Sequence, residues 1–234
     1  MSFCLGVGLF GSVYLMPVFL AFVRGHDAFE IGSIMLVTGA AQLAAAPFAA
    51  MLEARFGPRL LTAFGFALFA LGLGWSHFQP RTADFDEMLW PQILRGIAIM
   101  FCLLPPPRIA LGALPEEEIA DASALFNLMR NLGGAIGIAL IDTILYGRVM
   151  IYAEDFRDRL LARDVTAAHA IGLSPKLLLG RPPGPPDAAA IAFVRPMVEK
   201  ASLALCVDEA WAMLACVALI GLLLVPFARD VEKH

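Results

Sequence analysis

The chain has 234 residues, of which 59% are hydrophobic and 16% carry a charge. Soluble domains average roughly 45–50% apolar residues with glycine included and roughly 25% charged residues, and a chain of this length could not bury so large an apolar excess in water. The composition argues against a cytosolic enzyme, a nucleic-acid-binding protein and a disordered protein. It predicts a protein whose solvent is the lipid bilayer.

Six stretches are long and apolar enough to cross a membrane, because a helix needs about 20 apolar residues to span the hydrocarbon core. Four contain no Lys, Arg, Asp or Glu, namely Phe3–Val23, Ile31–Leu52, Leu60–Pro80 and Ala210–Ala228. The other two are Met88–Leu114 and Ile119–Tyr146, and they contain Arg95, Arg108, Arg130 and Asp142. We therefore predict an all-α membrane protein with six transmembrane helices. The first span is longer than the apolar core of a signal peptide, and we expect it to stay in the membrane.

The connections between the spans are short, with one exception. Three polar turns, at Arg24–Glu30, Glu53–Arg59 and Arg81–Glu87, predict that the helices they join are antiparallel neighbours. The exception is the long connection Arg148–Leu205. Its sequence predicts an amphipathic helical extension, a Pro/Gly-rich hinge at Arg181–Pro186 and a second helical stretch. We therefore divide the chain into residues 1–147 with five spans, an external loop at 148–205, and residues 206–234 with the last span and a tail.

The distribution of basic residues predicts the orientation of the chain, because cytoplasmic loops carry an excess of Lys and Arg. Six spans put both termini on one side. The short segments on that side contain Arg55, Arg59, Arg108, Arg229 and Lys233, against Arg24 and Arg81 on the other side. The long loop adds eight basic residues to the other side, but its length is near the limit of about 60 residues beyond which loop charge stops counting. We predict cytoplasmic termini.

The fifth span has one polar face. At 100° per residue, an arc of about 120° contains Ser123, Asn127, Arg130, Asn131, Gly134 and Asp142. Such a face inside a membrane must turn toward protein or water, and intramembrane charge marks a functional site by default. One reading is that Asn127, Arg130 and Asn131 line a polar cavity. The other is that Arg130 ties helix ends together within the bundle.

Small and charged residues predict two contacts between helices. Gly133 and Gly137, with Gly134 beside them, form a GxxxG pattern that lets two helices approach closely. Arg95 and Asp142 lie at similar depths from the same end of two consecutive spans. We therefore predict an ion pair between them. The alternative is that each side chain reaches the headgroups independently.

Several of these segments resemble a known family. Residues Leu114–Leu140 (LPEEEIADASALFNLMRNLGGAIGIAL) closely resemble the penultimate helix of the fourteen-helix drug/proton antiporters of the EmrB/QacA type, in the major facilitator superfamily. Gly6–Pro17 (GVGLFGSVYLMP) is similar to the helix that opens their second half. Arg55–Arg59 (RFGPR) is similar to the basic turn between the next two helices, although Ala54 stands where the family turn has Asp. Leu94–Ala98 (LRGIA) also fits the family. The resemblance implies one six-helix half bundle.

The resemblance also implies a function, which is proton-driven multidrug efflux of amphipathic compounds across a bacterial inner membrane, without a cofactor. Asn127, Arg130 and Asn131, with Arg95 and Asp142 as further candidates, would line the transport cavity. Arg55, Gly57 and Arg59 would form the cytoplasmic turn. The chain would be a truncated product, half of a split transporter or a self-pairing half, and its candidate partners are an N-terminal half, a second copy and a periplasmic adaptor.

The rival interpretation is a membrane scaffold or regulatory protein that keeps the fold without transport. An enzyme or a metal protein is not expected, because the four cysteines are scattered without a CxxC pattern and no nucleophile–base set is apparent. The composition gives no reason to expect a nucleic-acid partner.

Overall fold

The computed structural model describes residues 1–111, 114–180 and 188–228. Most of these residues are helical, and no strand occurs among them. The helices are α1 (Ser2–Val18), α2 (Ala28–Phe56), α3 (Pro58–His77), α4 (Phe85–Leu103), α5 (Pro105–Leu111), α6 (Glu116–Leu161), α7 (Val165–Ile171), α8 (Pro175–Leu179) and α9 (Ala188–Leu224). A π-helical turn, Phe19–Arg24, continues α1, and a 3₁₀ turn, Val225–Phe227, continues α9.

Six helical segments of the described chain are long and apolar enough to cross a membrane. They are Ser2–Arg24, Ala28–Phe56, Pro58–His77, Phe85–Pro107, Glu116–Leu161 and Ala188–Phe227. The prediction of an all-α membrane protein with six spans is therefore confirmed.

Local sequence signals explain where several helices begin. Asp27 and Glu30 form a reciprocal capping box at the start of α2, and Asp84 and Glu87 form another at the start of α4. Each box satisfies backbone N–H groups that have no partner within the helix. Between α2 and α3 the chain turns at Gly57, whose φ of +83° suits glycine, and Pro58 then opens α3.

The packing of the helices differs from their order in the chain. α1 packs against α6 and α9, while α3 packs against α4 and α9. The prediction that short turns join packed neighbours holds for α3 and α4 but is wrong for α1 and α2, which have almost no contact. α2 packs chiefly against α4 instead, where Gly96 lets the helices approach closely. A short turn fixes only the adjoining ends of two helices, so it does not decide their lateral neighbours.

The core of the bundle is apolar and lies where α1, α3 and α9 meet. Its largest fully buried side chains include Leu5, Leu15, Phe66, Phe69 and Leu214. α2 is the most exposed of the long spans in the described chain, with 17% of its apolar window buried. One broad face of α2 therefore has no partner within the described residues.

The segment after the fifth span folds as a small helical unit, which we call the cap (residues 148–180 and 188–201). α6 continues without a break to Leu161, and α7 and α8 follow. A separate apolar cluster holds the cap together and contains Phe156, Ala167, Ala168, Ile171, Leu173, Val198 and Ala201. α6 and α9 run through residues 147 and 205, so the proposed divisions fall within continuous helices. The Pro/Gly-rich stretch predicted as a hinge lies outside the described residues.

Candidate functional site

Arg95 is the most unusual charged residue of the bundle, because it is buried without a carboxylate partner among the described residues. It lies on α4 with 3% of its surface exposed. Its Nη2 donates to the sulfur of Met16 at 3.3 Å, and its guanidinium carbon lies 4.6 Å from the centre of the Trp211 ring. Its Nε and Nη1 are buried, and no residue in the described part of the chain accepts a hydrogen bond from them. The aromatic face stabilises the cation in part, but these two nitrogen atoms can still donate hydrogen bonds to a further acceptor.

A cavity of about 150 Å³ adjoins Arg95 between α1, α2 and α4. Its polar wall consists of Ser12, Thr38, Gln42 and Arg95 itself, and its apolar wall includes Met35 and Ile99. The cavity thus combines apolar surface with a few fixed polar groups, which is typical of small-molecule sites.

A second polar group supports this wall and was missed in the sequence. Thr38 of α2 donates to Gln92 Oε1 at 2.9 Å, which links α2 to α4. Gln92 is fully buried, and its Nε2 has no acceptor among the described residues. The signal was available, because Gln92 lies three residues before Arg95 and hence on the same face of α4.

The predicted ion pair between Arg95 and Asp142 is wrong. Asp142 instead accepts a hydrogen bond from the hydroxyl of Tyr14 at 2.7 Å. α1 supplies a partner to each of the two residues, Met16 to Arg95 and Tyr14 to Asp142. α6 packs against α1 and makes no extensive contact with α4. The error follows from assuming that consecutive spans are neighbours.

The other candidates on α6 form a separate polar row. Arg130 Nη2 donates to Asn127 Oδ1 at 2.7 Å, and Asn127 Nδ2 donates to the carbonyl of Ser123 at 3.0 Å. Asn127 and Asn131 are exposed, while Arg130 is partly buried. The structure therefore brings Asn127 and Arg130 together but leaves them, like Asn131 and Asp142, outside the walls of the Arg95 cavity.

The glycines of the GxxxG pattern lie against α1. A methyl group at Gly133 would lie 2.2 Å from the carbonyl oxygen of Phe3, and one at Gly137 would lie 3.0 Å from Cα of Val7. At Gly134 the nearest group is the ring of Phe10. From the other side, a methyl group at Gly6 would lie 1.9 Å from the carbonyl oxygen of Arg130. The backbones of α1 and α6 are therefore so close that a residue larger than glycine does not fit at these positions.

The basic turn between α2 and α3 directs its two arginines differently. Arg59 Nη2 donates to the carbonyl of Pro226 at the end of the last span. The Arg55 guanidinium carbon lies 5.7 Å from the centre of the neighbouring Phe56 ring, and this side chain is exposed. Gly57 supplies the left-handed backbone between them. Arg59 thus connects the turn to the last span, whereas Arg55 is accessible.

Comparison with known proteins agrees with this architecture. The model of the Major Facilitator Superfamily matches residues 1–147. The colistin resistance protein EmrB of Acinetobacter baumannii is 42% identical over 144 residues, 62% of this chain and 28% of that protein. The multidrug export protein EmrB of Escherichia coli K12 is 31% identical over 137 residues, 58% of this chain and 27% of that protein.

A third relative aligns over more of the chain. The MFS-type transporter YhcA of Bacillus subtilis is 26% identical over an alignment of 234 residues, 97% of this chain and 43% of that protein. The chain spans less than half the length of each of these relatives. The resemblance to EmrB-type proteins is confirmed. The chain belongs to the major facilitator superfamily.

Proposed function

We propose that this chain is one half of a proton-coupled multidrug exporter of the bacterial inner membrane and that it acts with a second half bundle. Two of the relatives are named for colistin resistance and for multidrug export. Transporters of this superfamily bind substrate between two bundles that rock about a central site. The substrates would be amphipathic small molecules, and protons would drive their export.

The observation that carries this proposal is the unpaired Arg95 in the wall of the cavity. A buried charge without a partner is expensive in a membrane, and in the described chain no carboxylate contacts it. The cavity lies against α2, whose outer face is largely exposed. We infer that a second half bundle covers this face and that the cavity is then complete, with an anionic group from that half or from the substrate facing Arg95.

The polar row of α6 has a place in the same proposal. Asn127, Arg130 and Asn131 lie on an exposed helix surface, where they would meet the opposite half or the transported compound. Asp142, which accepts a hydrogen bond from Tyr14, would contribute its carboxylate to the transport site. Arg55, Gly57 and Arg59 would form the cytoplasmic turn that closes against the other half. The partner is a separate half, a second copy of this chain or, outside the membrane, an adaptor protein.

Export requires two halves under this proposal, and this gives a direct test. The purified monomer in proteoliposomes with an imposed proton gradient is expected to show no dye efflux, because it supplies only one wall of the cavity. Co-expression with the Acinetobacter relative from which the matched segment has been deleted is expected to restore efflux. Efflux by a demonstrated monomer would contradict the need for a partner. If the correctly inserted chain exported no dye, either with that partner or as a dimer of two copies, the scaffold interpretation would be favoured.

The proposed orientation has its own test. Reporter fusions at Gly57 and Glu117 are expected to give cytoplasmic signals, and fusions at Asp84 and Asp164 are expected to give external signals. The reason is the excess of basic residues in the short segments on the side of the termini. An external signal at Gly57 would reverse the assignment.

A further inference from the structure

A second cavity, of about 200 Å³, lies where the cap meets the bundle. Four segments line it: the end of the π-helical turn with Arg24, the loop between α3 and α4 with Arg81 and Thr82, the end of α7 with Ile171, and α9 with Met197 and Lys200. Three of these side chains are cations. No acidic side chain among the described residues lines the cavity.

The three cations are not equally neutralised. Arg24 donates to Asp84 at 2.8 Å, and the same carboxylate contacts His26 at 3.0 Å. The Arg24 guanidinium lowers the pKa of Asp84, so this carboxylate stays ionised. Even so, Nε of Arg24 is buried without an acceptor. Asp84 therefore neutralises Arg24, but the Nε–H group of Arg24 stays available for another acceptor.

Arg81 and Lys200 have no acidic partner in the part of the chain that the structure describes. Burial lowers the pKa of Arg81, because the guanidinium has lost part of its hydration. Its Nη2 lies against Gly172, where a methyl group would come within 2.6 Å of it. Gly172 ends α7 with a φ of +80°, so the turn leaves space that the guanidinium occupies. The cap thus holds a partly desolvated cation at the cavity.

The surroundings place this cavity at the level of the lipid headgroups. The flanking segments expose Phe22 and Phe78, with 66% and 81% of their surfaces accessible. We expect large apolar side chains with that exposure at the end of a membrane bundle to contact lipid. Converging arginine and lysine donors at this level are the groups that bind phosphate oxygens.

We propose that the cavity formed by Arg24, Arg81 and Lys200 binds a phosphate group, which anchors the cap to the membrane surface when it belongs to an anionic phospholipid. Arg81 and Lys200 would supply the uncompensated positive charge, and Arg24 Nε and the Thr82 hydroxyl would supply further donors. The site lies outside the proposed transport cavity, and its readout is binding rather than export. Failure of the exporter proposal therefore leaves it untouched.

The test measures binding by the intact purified chain in detergent. Its thermal unfolding midpoint is followed during titration with phosphatidylglycerol, with phosphatidylcholine and, at constant ionic strength, with inorganic phosphate. The variant is Arg81→Gln/Lys200→Gln. The matched control is Arg157→Gln/Lys176→Gln, which removes the same charge from exposed cap residues that do not line the cavity. Lys200→Gln alone serves as a second variant, because Lys200 is exposed and its replacement is expected to leave the fold intact.

We expect phosphatidylglycerol to raise the midpoint of the unaltered chain and of the control more than phosphatidylcholine does. The half-saturating concentration is expected to rise at least ten-fold in the double variant and by a smaller factor in Lys200→Gln. A response to inorganic phosphate that disappears in the variant would support the same site with free phosphate as its ligand. Equal responses of variant and control to all three probes would overturn the proposal.

Discussion

Replacing Arg95 by methionine is expected to stabilise the isolated chain by about 1–4 kcal/mol, the range known for buried ion pairs that are replaced by apolar side chains. The reason is that Arg95 is buried while its Nε and Nη1 have no acceptor. Methionine is unbranched and apolar, and although it is shorter than arginine it fills part of the space beside Trp211 without a charge. The measurement is thermal unfolding of the purified chain in detergent.

The same substitution is expected to abolish dye efflux in the co-expressed transporter. Arg95 is the only buried cation among the described residues, and the proposed site loses it. For the stability measurement alone, the matched control is Arg130→Met, since that guanidinium is partly exposed and already bound to Asn127. The stability of the control is expected to change by no more than about 0.5 kcal/mol. A less stable Arg95→Met chain would mean that the contact with Trp211 outweighs the cost of the unpaired charge.

The second large effect is expected at the contact between α1 and α6. Gly133→Ala places a methyl group 2.2 Å from the carbonyl oxygen of Phe3, so the backbones must separate. Overpacking of this kind typically costs about 1–3 kcal/mol, and the cost here falls on backbone rather than on a flexible side chain. We expect a clear fall in the unfolding midpoint of the purified chain.

Gly147→Ala is the matched control, because this glycine lies on the same helix and nothing lies within 4 Å of the added methyl group. Alanine is a better helix former than glycine by roughly 0.5–1 kcal/mol. The control is therefore expected to keep or raise the midpoint. If both variants shifted the midpoint equally, helix propensity rather than the contact with α1 would explain the role of Gly133.

The number and positions of the spans could be predicted because they depend on length, apolarity and the placement of charge. These quantities are local and can be counted along the chain. The role of the GxxxG pattern could also be predicted, since small residues on one helix face indicate close packing whatever the partner helix is. The sequence did not say that the partner of this face is α1, because lateral packing depends on the whole bundle.

The error at Arg95 has the same origin. Its depth and charge could be read from the sequence, but its neighbours could not, since Met16 and Trp211 come from two helices far from it in the chain. Gln92 is uncharged, so a pattern based on the placement of charge in the apolar spans does not mark it. The cap was predicted as helical and amphipathic, but its own apolar cluster depends on the contact between α6, α7 and α9.

The unbroken length of α6 has a mechanical consequence. Its 46 residues extend about 69 Å at about 1.5 Å per residue, and a tilt of about 10° around one end would carry the other end through about 12 Å. The helix is thus a lever arm that begins at Glu116 on one side of the bundle and ends in the cap on the other. Any rocking of the bundle is magnified at Phe156 and its neighbours. If the bundle rocks as proposed, the position of the cap would differ between its two open states.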